Sequence, residues 1–315
     1  MAKKGLDDHG QGIGRREVLE CMVWAGTGVL WGMSGGVPHS IGLIGEAAAA
    51  ESAGFTFLQM SDSHVGFDKK ANPDALGTLR EAVAKVKAMP MKPSFIIHTG
   101  DISHLSKPEE FDNADKVYGE TGLQMHYVPG EHDLIDESQG KAYLERYGKG
   151  SKGAGWYSFD DHGVHFVGLV NVVNLKAGGL GNLGAEQLAW LEADLKGKSN
   201  STPIVVFAHI PLQVLYKEWG WGTDDGTQAL NLLKRFGSVT ILNGHIHQLA
   251  QKVEGNMTFH TALSTAFPQP APGSAPSPGP MVVPSDQLRS MLGLSTVTVL
   301  QGNKPLAFVD KTLAS

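Results

Sequence analysis

The sequence is poor in several residue types, and each scarcity excludes a class of chemistry. Its 315 residues include one cysteine, Cys21. Because Cys21 lies inside an expected export signal, the mature chain would have no thiol, which excludes disulfides, zinc–thiolate sites and cysteine nucleophiles. Lys and Arg number 26 against 32 Asp and Glu, and the formal charge of −6 provides no basic surface for nucleic acid. No nucleic acid polymer is therefore expected as a partner.

The first fifty residues follow the order of a secretory signal. Arg15 and Arg16 form a basic pair, residues 21–44 carry no charge, and residues 47–50 are four alanines. An arginine pair before a weak, glycine-rich apolar stretch is typical of a twin-arginine signal. Seven glycines and Pro38 within residues 21–45 disfavour the alternative, an uncleaved transmembrane anchor.

We therefore predict a twin-arginine signal peptide over residues 1–50 and a mature domain over residues 51–315. The twin-arginine export machinery is then an expected partner, and the location is periplasmic or secreted. No stable membrane span is expected after cleavage.

The remaining chain has the composition of a globular protein, with 41% hydrophobic and 18% charged residues. Apolar runs of strand length alternate with helical spacing over residues 55–128, which is the order of an α/β fold. The second helix is expected to begin with Ser106 as its N-cap. Residues 156–170 predict a β-hairpin, and the tail from residue 249 is β-rich, except for a Pro/Gly-rich surface loop at residues 271–284. Two β-rich halves with helices predict two sheets packed face to face.

Five short polar islands lie just past predicted strands. Polar residues at strand ends collect at one edge of a sheet. Carboxylates and imidazoles gathered there would repel and desolvate one another unless a cation lay among them, so the pattern predicts bound metal, with ligands enough for two ions. The islands are Asp62-Ser63-His64, Gly100-Asp101, Gly130-Glu131-His132-Asp133, Ala208-His209 and Gly244-His245-Ile246-His247.

The order of these islands resembles the calcineurin-like metallophosphoesterase superfamily, whose pattern is D-x-H, G-D, G-N-H-[D/E], a lone His after a strand, and G-H-x-H. The resemblance covers about residues 55–260. It implies an α/β (α+β) fold: a four-layer αββα sandwich of two mixed β-sheets with flanking helices. It also implies hydrolysis of a phosphate ester by a metal-bound hydroxide. Size and layout resemble the bacterial cyclic-nucleotide and glycerophosphodiester phosphodiesterase branch, so a small phosphodiester is the expected substrate.

The resemblance assigns the ligands by position. Oxygen and imidazole donors without sulfur suit two ions of Mn, Fe or Zn. His132 is expected to contact the phosphate and to protonate or stabilise the leaving oxygen. The expected ligands are Asp62, His64 and His247 for one ion and Glu131, His209 and His245 for the other, with Asp101 bridging them.

Two positions depart from the family pattern. Glu131 stands where Asn is usual: either it ligates the second ion, weakening attraction for a dianionic phosphate, or it points away and impairs that site. His104 stands where the family often has Asp or Tyr, and it either binds substrate phosphate or is a loop histidine. Asp133 either orients His132 or closes its turn.

Two further functions stay open on the sequence alone. One is a phosphomonoesterase or nucleotidase, and the other is a catalytically impaired metal-binding protein on the same fold. Trp219 and Trp221 form either an aromatic wall over the site or a packed loop. His98 is expected to be a packed histidine, and His126, His162 and His165 are expected to be structural or at the surface.

Overall fold

The computed structural model describes residues 55–136, 140–300 and 306–315 in full, and the backbone of strand residues 30–34, 37–41 and 53–54. The chain divides into two units, Met1–Ala48 and Ala49–Ser315. In the first unit, β1 (Leu30–Ser34) and β2 (Val37–Ile41) pair antiparallel. The predicted signal peptide otherwise lies outside the described residues and stays a prediction.

The second unit contains two mixed sheets. The first is formed by β3 (Ala53–Met60), β4 (Phe95–His98), β5 (Gln124–Tyr127), β12 (Gly293–Leu300) and β13 (Ala307–Thr312). Their order is β13-β12-β3-β4-β5. The three strands β3, β4 and β5 are parallel, and β12 runs antiparallel to both of its neighbours.

The second sheet has six strands. They are β6 (Tyr157–Asp161), β7 (Val164–Gly168), β8 (Ile204–Phe207), β9 (Val239–Asn243), β10 (Ala250–Glu254) and β11 (Met257–Thr261). Their order is β10-β11-β9-β8-β7-β6. The four central strands are parallel, and the edge strands β6 and β10 form antiparallel hairpins with β7 and β11.

Helices cover the outer faces of both sheets. They are α1 (Ala75–Lys87), α2 (Pro108–Gly119), α3 (Lys141–Tyr147), α4 (Gly184–Leu195) and α5 (Gly226–Leu233). Single 3₁₀ turns lie at Glu131–Asp133, Ala177–Gly179, Lys217–Trp219 and Leu288–Ser290. Apolar residues of α1, α2 and α3 pack on the first sheet, and those of α4 and α5 pack on the second.

The alternation of side chains along each strand separates the layers. Phe57 and Ile97 lie in the core between the sheets, whereas their neighbours Leu58 and Ile96 face the helices. Full burial of one aliphatic or aromatic side chain contributes about 1.5–3 kcal/mol to the stability of the fold. Strands with apolar residues on both faces are therefore most stable when both faces of the sheet are covered. The predicted four-layer αββα sandwich is confirmed.

The start of α2 differs from the prediction. Lys107 is the residue before the helix, and Ser106 adopts a left-handed φ of 55°. Ser106 Oγ donates to the carbonyl of His132 at 2.7 Å and accepts the backbone N–H of Ile135 at 3.1 Å. Glu110 accepts the free N–H groups just before the helix. The local capping preference of serine is overridden because its hydroxyl ties α2 to the turn that bears His132.

The remaining segments agree with expectation. Residues 271–284 contain neither helix nor strand and are mostly exposed, as predicted for a surface loop. Among the described residues, no helix has both the length and the apolar character needed to cross a bilayer.

Candidate metal centre

Backbone hydrogen bonds bring the island loops together at the carboxyl ends of the parallel strands. Asp62 N–H donates to the Gly100 carbonyl at 2.9 Å, and His64 N–H donates to the Asp101 carbonyl at 2.9 Å. In the second sheet, the N–H of Gly244 donates to the His209 carbonyl at 3.0 Å. The parallel arrangement therefore places all five islands at one end of the molecule.

Two island glycines are required by close approach. A Cβ at Gly130 would overlap Asp101 Oδ1, and a Cβ at Gly244 would overlap Ser61 Oγ and Asp62 Oδ2. The glycines thus allow the second and third islands to touch within the first sheet, and the first and fifth islands to touch across the two sheets.

Backbone strain is concentrated at the candidate ligands. In the described part of the chain, seven residues other than glycine have positive φ, and five of them are Asp62, His64, Asp101, His245 and His247. Left-handed backbone costs such residues about 1–2 kcal/mol each. Strain of this kind persists where surrounding structure fixes it and gathers at functional sites.

One group of three candidate ligands lies between the first and fifth islands. His64 Nε2 is 3.1 Å from His247 Nε2, and His247 Nε2 is 3.2 Å from Asp62 Oδ1. His247 Nδ1 donates to the Phe267 carbonyl at 2.6 Å, so its Nε2 presents a lone pair to the group. All three ligand side chains are at most 2% exposed.

A second group lies between the third, fourth and fifth islands. Glu131 Oε2 is 3.0 Å from His209 Nε2, and Glu131 Oε1 is 2.9 Å from His245 Nδ1. His209 Nδ1 donates to the Thr99 carbonyl at 2.7 Å, which directs its Nε2 into the site. The structure therefore places the Glu131 carboxylate between the two imidazoles and not away from them.

Asp101 lies between the two groups. Its Oδ2 is 3.4 Å from His64 Nε2 in the first group and 3.4 Å from His209 Nε2 in the second. Its Oδ1 accepts the backbone N–H of His132 at 2.9 Å. One carboxylate oxygen is thus shared by both groups, and the other fixes the side chain.

Two buried atoms of the second group have no hydrogen-bond partner. They are Glu131 Oε2 and His209 Nε2, which face each other without an aligned bond. A buried polar atom left unsatisfied costs about 1–3 kcal/mol. An unsatisfied carboxylate oxygen beside an unsatisfied imidazole nitrogen is a donor set for a cation, so the residues present fit a metal centre.

The pKa values show how negative charge is concentrated. Burial raises the pKa of Asp62, but His247 and His209 lower it to about 2. Burial lowers the pKa of His209, yet Asp101 and Glu131 hold it well above its ordinary value. Burial also lowers the pKa of His64, and the adjacent His132 adds to this effect. The carboxylates thus concentrate negative charge around the imidazoles, and such a field favours a bound cation.

His132 and His104 form a stacked pair beside the first group. Their ring centroids are 4.9 Å apart at 18°. His132 Nδ1 donates to the His104 carbonyl at 2.7 Å, so Nε2 remains for a ligand. Burial lowers the pKa of His132, but Asp101 and Glu131 raise it above its ordinary value. His104 Nδ1 is 3.5 Å from His64 Nδ1, so the structure places His104 beside the first ligand group.

Asp133 closes the turn. Its carboxylate accepts the backbone N–H groups of Ile102, Ser103 and Gly130 at 2.8–3.1 Å, and the Ser103 hydroxyl at 2.8 Å. It ties the third island to the second, while the His132 imidazole is held by a backbone carbonyl. Of the two roles open on the sequence, the structure supports turn closure.

Other predicted or unforeseen residues lie around the site. His98 is buried; its Nδ1 accepts the Gly100 N–H at 3.2 Å, and its Nε2 is 2.7 Å from Ser63 Oγ. Trp221 is 2% exposed and belongs to a packed loop. The centroid of the Phe267 ring is 4.7 Å from that of His64 and 4.6 Å from that of His247. The sequence carries no signal for Phe267 because these contacts span 203 and 20 positions and leave no local pattern.

Comparisons with known proteins identify the family of the chain. The profile of the calcineurin-like phosphoesterase family matches residues 55–249. The chain is 26% identical over 196 residues to the glycerophosphodiester phosphodiesterase GpdQ of Enterobacter lignolyticus, covering 60% of this chain and 69% of that protein. It is 23% identical over 225 residues to a 3',5'-cyclic-nucleotide phosphodiesterase of Nostoc, covering 69% of this chain and 80% of that protein.

Solved structures share the fold. A dimetal phosphatase from Danio rerio superposes with a TM-score of 0.62 at 14% identity, covering 82% of this chain and 99% of that one. A purple acid phosphatase from yellow lupin seeds has a TM-score of 0.60 at 13% identity, covering 83% of this chain and 52% of that one.

Proposed function

Since this chain belongs to the calcineurin-like phosphoesterase family and is a hydrolase of phosphoric esters, we propose that it is an exported, dinuclear metal-dependent phosphodiesterase. The observation that supports two ions is the position of Asp101 Oδ2, 3.4 Å from an imidazole nitrogen of each ligand group. The curated relatives that act on phosphodiesters support the choice of ester.

Each side chain has a proposed role in holding the ions. The donor set of oxygen and imidazole nitrogen suits Mn, Fe or Zn. A pair of such ions supplies an activated water and a clamp on the phosphoryl oxygens. In this chain one ion would be held by Asp62, His64 and His247 and the other by Glu131, His209 and His245, with Asp101 shared between them.

His132 is the proposed proton donor. Burial lowers its pKa, but Asp101 and Glu131 raise it above the ordinary value. The His104 carbonyl accepts the hydrogen bond from Nδ1–H, so the second proton of the imidazolium would be on Nε2–H. That N–H would donate to the leaving oxygen as the phosphorus–oxygen bond breaks. The stacked His104 would contact a phosphate oxygen and keep the His132 ring in its plane.

The charge of Glu131 favours a diester over a monoester. Its carboxylate lies inside the second ligand group, where most of this family has a neutral amide. A phosphodiester carries one negative charge and a monoester near neutral pH carries close to two, so the extra carboxylate repels the monoester more. A phosphomonoesterase or nucleotidase is the competing function.

Turnover of two aryl esters tests the proposal. The full chain is stripped of metal, reloaded with Mn²⁺, Zn²⁺ or Fe, and assayed with bis-p-nitrophenyl phosphate and p-nitrophenyl phosphate, with Asp101→Asn as the blank. Faster turnover of the diester than of the monoester, with both activities lost in Asp101→Asn, supports the phosphodiesterase function. Preference for the monoester supports the competing function, and absence of turnover with both esters contradicts the hydrolase and favours a metal-binding role.

Export rests on the N-terminal sequence, where Arg15 and Arg16 precede an uncharged stretch. We propose that the twin-arginine machinery carries the folded chain and that cleavage occurs near residue 50. Mass spectrometry of the exported protein tests this. A mature N-terminus near residue 51 that is lost in an Arg15→Lys/Arg16→Lys variant is expected, and an intact N-terminus retained in the cell contradicts it.

A further inference from the structure

Both candidate ligand groups take their side chains from the two sheets together. The ligands that follow strands of the first sheet are Asp62, His64, Asp101 and Glu131, and those that follow strands of the second are His209, His245 and His247. Each group contains members of both sets. A shift of one sheet against the other would therefore open both groups at once and would move Asp101 away from the imidazole that the second sheet contributes.

The layer between the sheets is lined mainly by apolar side chains, among them Phe57, Ile97 and Phe207. Contacts between such side chains are not directional, whereas a hydrogen bond has a preferred length and angle, so apolar contacts alone define the relative position of two sheets poorly. Gln59 brings an amide into this layer, because it lies on the same face of β3 as Phe57 and is fully buried. It precedes Asp62, the first candidate ligand, by three positions.

The amide of Gln59 binds the second sheet through both of its ends. Gln59 Oε1 accepts Nδ1–H of His260 on β11 at 2.9 Å, and Gln59 Nε2 donates to the carbonyl of Asn243, the last residue of β9, at 3.0 Å. The side chain of Asn243 in turn donates to the carbonyls of Ala208 and Ile210 at 2.8 and 3.2 Å. Gln59 thus reaches, directly or through Asn243, the backbone beside the fourth and fifth islands.

The same amide also connects to a ligand of each group through Thr99. Gln59 Nε2 donates to Thr99 Oγ1 at 3.4 Å, and the Thr99 hydroxyl donates to Ser61 Oγ at 2.7 Å. The Ser61 hydroxyl donates to the carboxylate of Asp62, a ligand of the first group. The Thr99 carbonyl accepts Nδ1–H of His209, a ligand of the second group, at 2.7 Å. A continuous set of buried hydrogen bonds therefore runs from Gln59 to both groups.

We propose that Gln59 is a positioning residue, which holds the two sheets at the spacing in which Asp101 reaches both ligand groups. This inference rests on the metal-dependent function proposed above and adds a residue from outside the ligand set. Its consequence is that loss of the Gln59 amide weakens metal binding although all seven ligands remain. A buried amide also contributes to the stability of the fold, so the positioning role has to be measured at the metal and compared with a variant of equal stability.

Titration of the metal-free, full-length protein with Mn²⁺ tests the inference. Gln59→Met keeps the length of the side chain and removes its hydrogen bonds to Asn243, His260 and Thr99. We expect Mn²⁺ affinity to fall about tenfold, which is the lower end of the effect of residues that support metal ligands. Electron paramagnetic resonance at two equivalents of Mn²⁺ should show coupled ions in the wild type and mainly single ions in the variant, because only neighbouring ions couple magnetically.

Two control variants alter the same layer without touching the Gln59 hydrogen bonds. Val297→Ala removes apolar contact from a fully buried position between the sheets, and urea unfolding should show a loss of stability comparable to that of Gln59→Met. Tyr157→Phe removes a hydrogen bond between the sheets at their edge strands, where the Tyr157 hydroxyl donates to the Tyr127 carbonyl at 3.0 Å. Both controls should keep the Mn²⁺ affinity and the coupled spectrum of the wild type.

A second variant at the same position decides the question if Gln59→Met does not fold. Gln59→Glu keeps the shape of the side chain and an oxygen for His260, but its ionised carboxylate has no proton to donate to the Asn243 carbonyl. An added negative charge would by itself attract a cation more strongly. A fall in Mn²⁺ affinity in Gln59→Glu therefore has the sign of the positioning effect and is opposite to the sign of the charge effect.

The outcomes distinguish this inference from the function beneath it. Wild-type Mn²⁺ affinity in a folded Gln59→Met or Gln59→Glu variant overturns the inference, and so does an equal loss of affinity in Gln59→Met and Val297→Ala. Turnover of bis-p-nitrophenyl phosphate by the Mn²⁺-loaded wild type leaves the phosphodiesterase standing in both cases. Absence of Mn²⁺ binding by the wild type overturns the metal centre and the inference together.

Discussion

Two kinds of histidine–carboxylate cluster occur in this molecule, and they differ in whether their polar atoms are satisfied. In the metal centre, Glu131 Oε2 and His209 Nε2 are buried without a hydrogen-bond partner. Between the sheets, His260 has both nitrogens bonded, to Gln59 Oε1 at 2.9 Å and to Asp310 Oδ1 at 3.0 Å. The first arrangement needs a cation to be complete, and the second is complete as it stands.

A second satisfied cluster lies on β7. His165 is 2% exposed, and its nitrogens bond Asp160 at 2.9 Å and Asp194 at 2.7 Å. Lys198 and Ser158 satisfy the remaining carboxylate oxygens. Proximity of imidazole and carboxylate therefore does not identify a metal centre in this chain. Unsatisfied atoms, a shared carboxylate oxygen and strained backbone distinguish the candidate metal centre from the satisfied clusters, and those three features coincide at the five islands alone among the described residues.

The largest expected effect is loss of the carboxylate shared by the two ligand groups. Asp101→Asn keeps an oxygen for the His132 N–H but removes the negative charge between His64 and His209. We expect diester turnover to fall on the order of 10³-fold, about 4 kcal/mol, together with loss of bound metal. Stopped assays and elemental analysis measure both.

The matched control is Asp310→Asn, which alters a carboxylate–histidine pair of the satisfied kind. Its metal content and turnover should stay at the wild-type level. Equal loss of metal in the two variants would contradict the distinction between the clusters.

The same Asp310→Asn variant gives the second prediction, on stability. Asp310 accepts bonds from His260 and Ser295, and although burial raises its pKa, the charge of His260 holds it below the ordinary value. Removing one partner of a buried pair costs about 3 kcal/mol. Urea unfolding at pH 7 of metal-free wild type and variant measures the difference. A difference below about 1 kcal/mol would show that this pair contributes no more than an exposed one.

The third prediction concerns His98, a satisfied histidine directly beneath the metal centre. Burial lowers its pKa to about 3. A second ring proton would be on Nδ1, which accepts the Gly100 N–H, so two donors would then face each other. The folded pKa lies below the unfolded value of about 6.5, so the folded state is penalised as pH falls below 6.5. Stability should drop about 1.4 kcal/mol per pH unit down to pH 5 from this group.

Urea unfolding of metal-free protein between pH 7.5 and 5 tests the slope. His98→Gln keeps an acceptor and a donor but does not titrate, so its stability should fall by about 2 kcal/mol less than that of the wild type over pH 6.5 to 5. Parallel pH profiles would contradict the assignment of a buried neutral His98.

The convergence of the candidate metal ligands could be predicted from the sequence because each island is a local pattern at a strand end. Asp62 and His64, or His245 and His247, are separated by one residue, and the strands that precede them are apolar. The fold followed from the same alternation of strand and helix. The prediction of Ser106 as an N-cap is wrong because its hydroxyl donates to the carbonyl of His132, 26 positions away, and this bond outweighs the local preference of serine as a cap.

The supporting contacts could not be predicted, since they are made by backbone atoms or by distant side chains. The Thr99 carbonyl orients His209 across 110 positions, and the Gln59–His260 bond spans 201. Every residue has a backbone carbonyl, so the composition and spacing of residue types cannot indicate which carbonyl accepts a hydrogen bond from a buried histidine. Whether a buried histidine is satisfied is therefore decided by tertiary structure alone.

The smallest expected effect concerns Glu131, the position where the metal centre departs from its family. Glu131→Gln keeps the length of the side chain and removes its charge, so repulsion of a dianionic monoester should weaken more than that of a monoanionic diester. A charge about 5 Å away at the site is worth about 1 kcal/mol, so the ratio of kcat/KM for diester over monoester should fall about fivefold. Metal affinity at the second ligand group should fall as well, because an amide oxygen attracts a cation less than a carboxylate does. Titration of the metal-free variant with Mn²⁺, beside the two aryl esters, measures both quantities. An unchanged ratio with unchanged metal affinity would mean that Glu131 turns away from the ions once they are bound. The proposal of a diester substrate would then lose its charge argument and rest on the relatives alone.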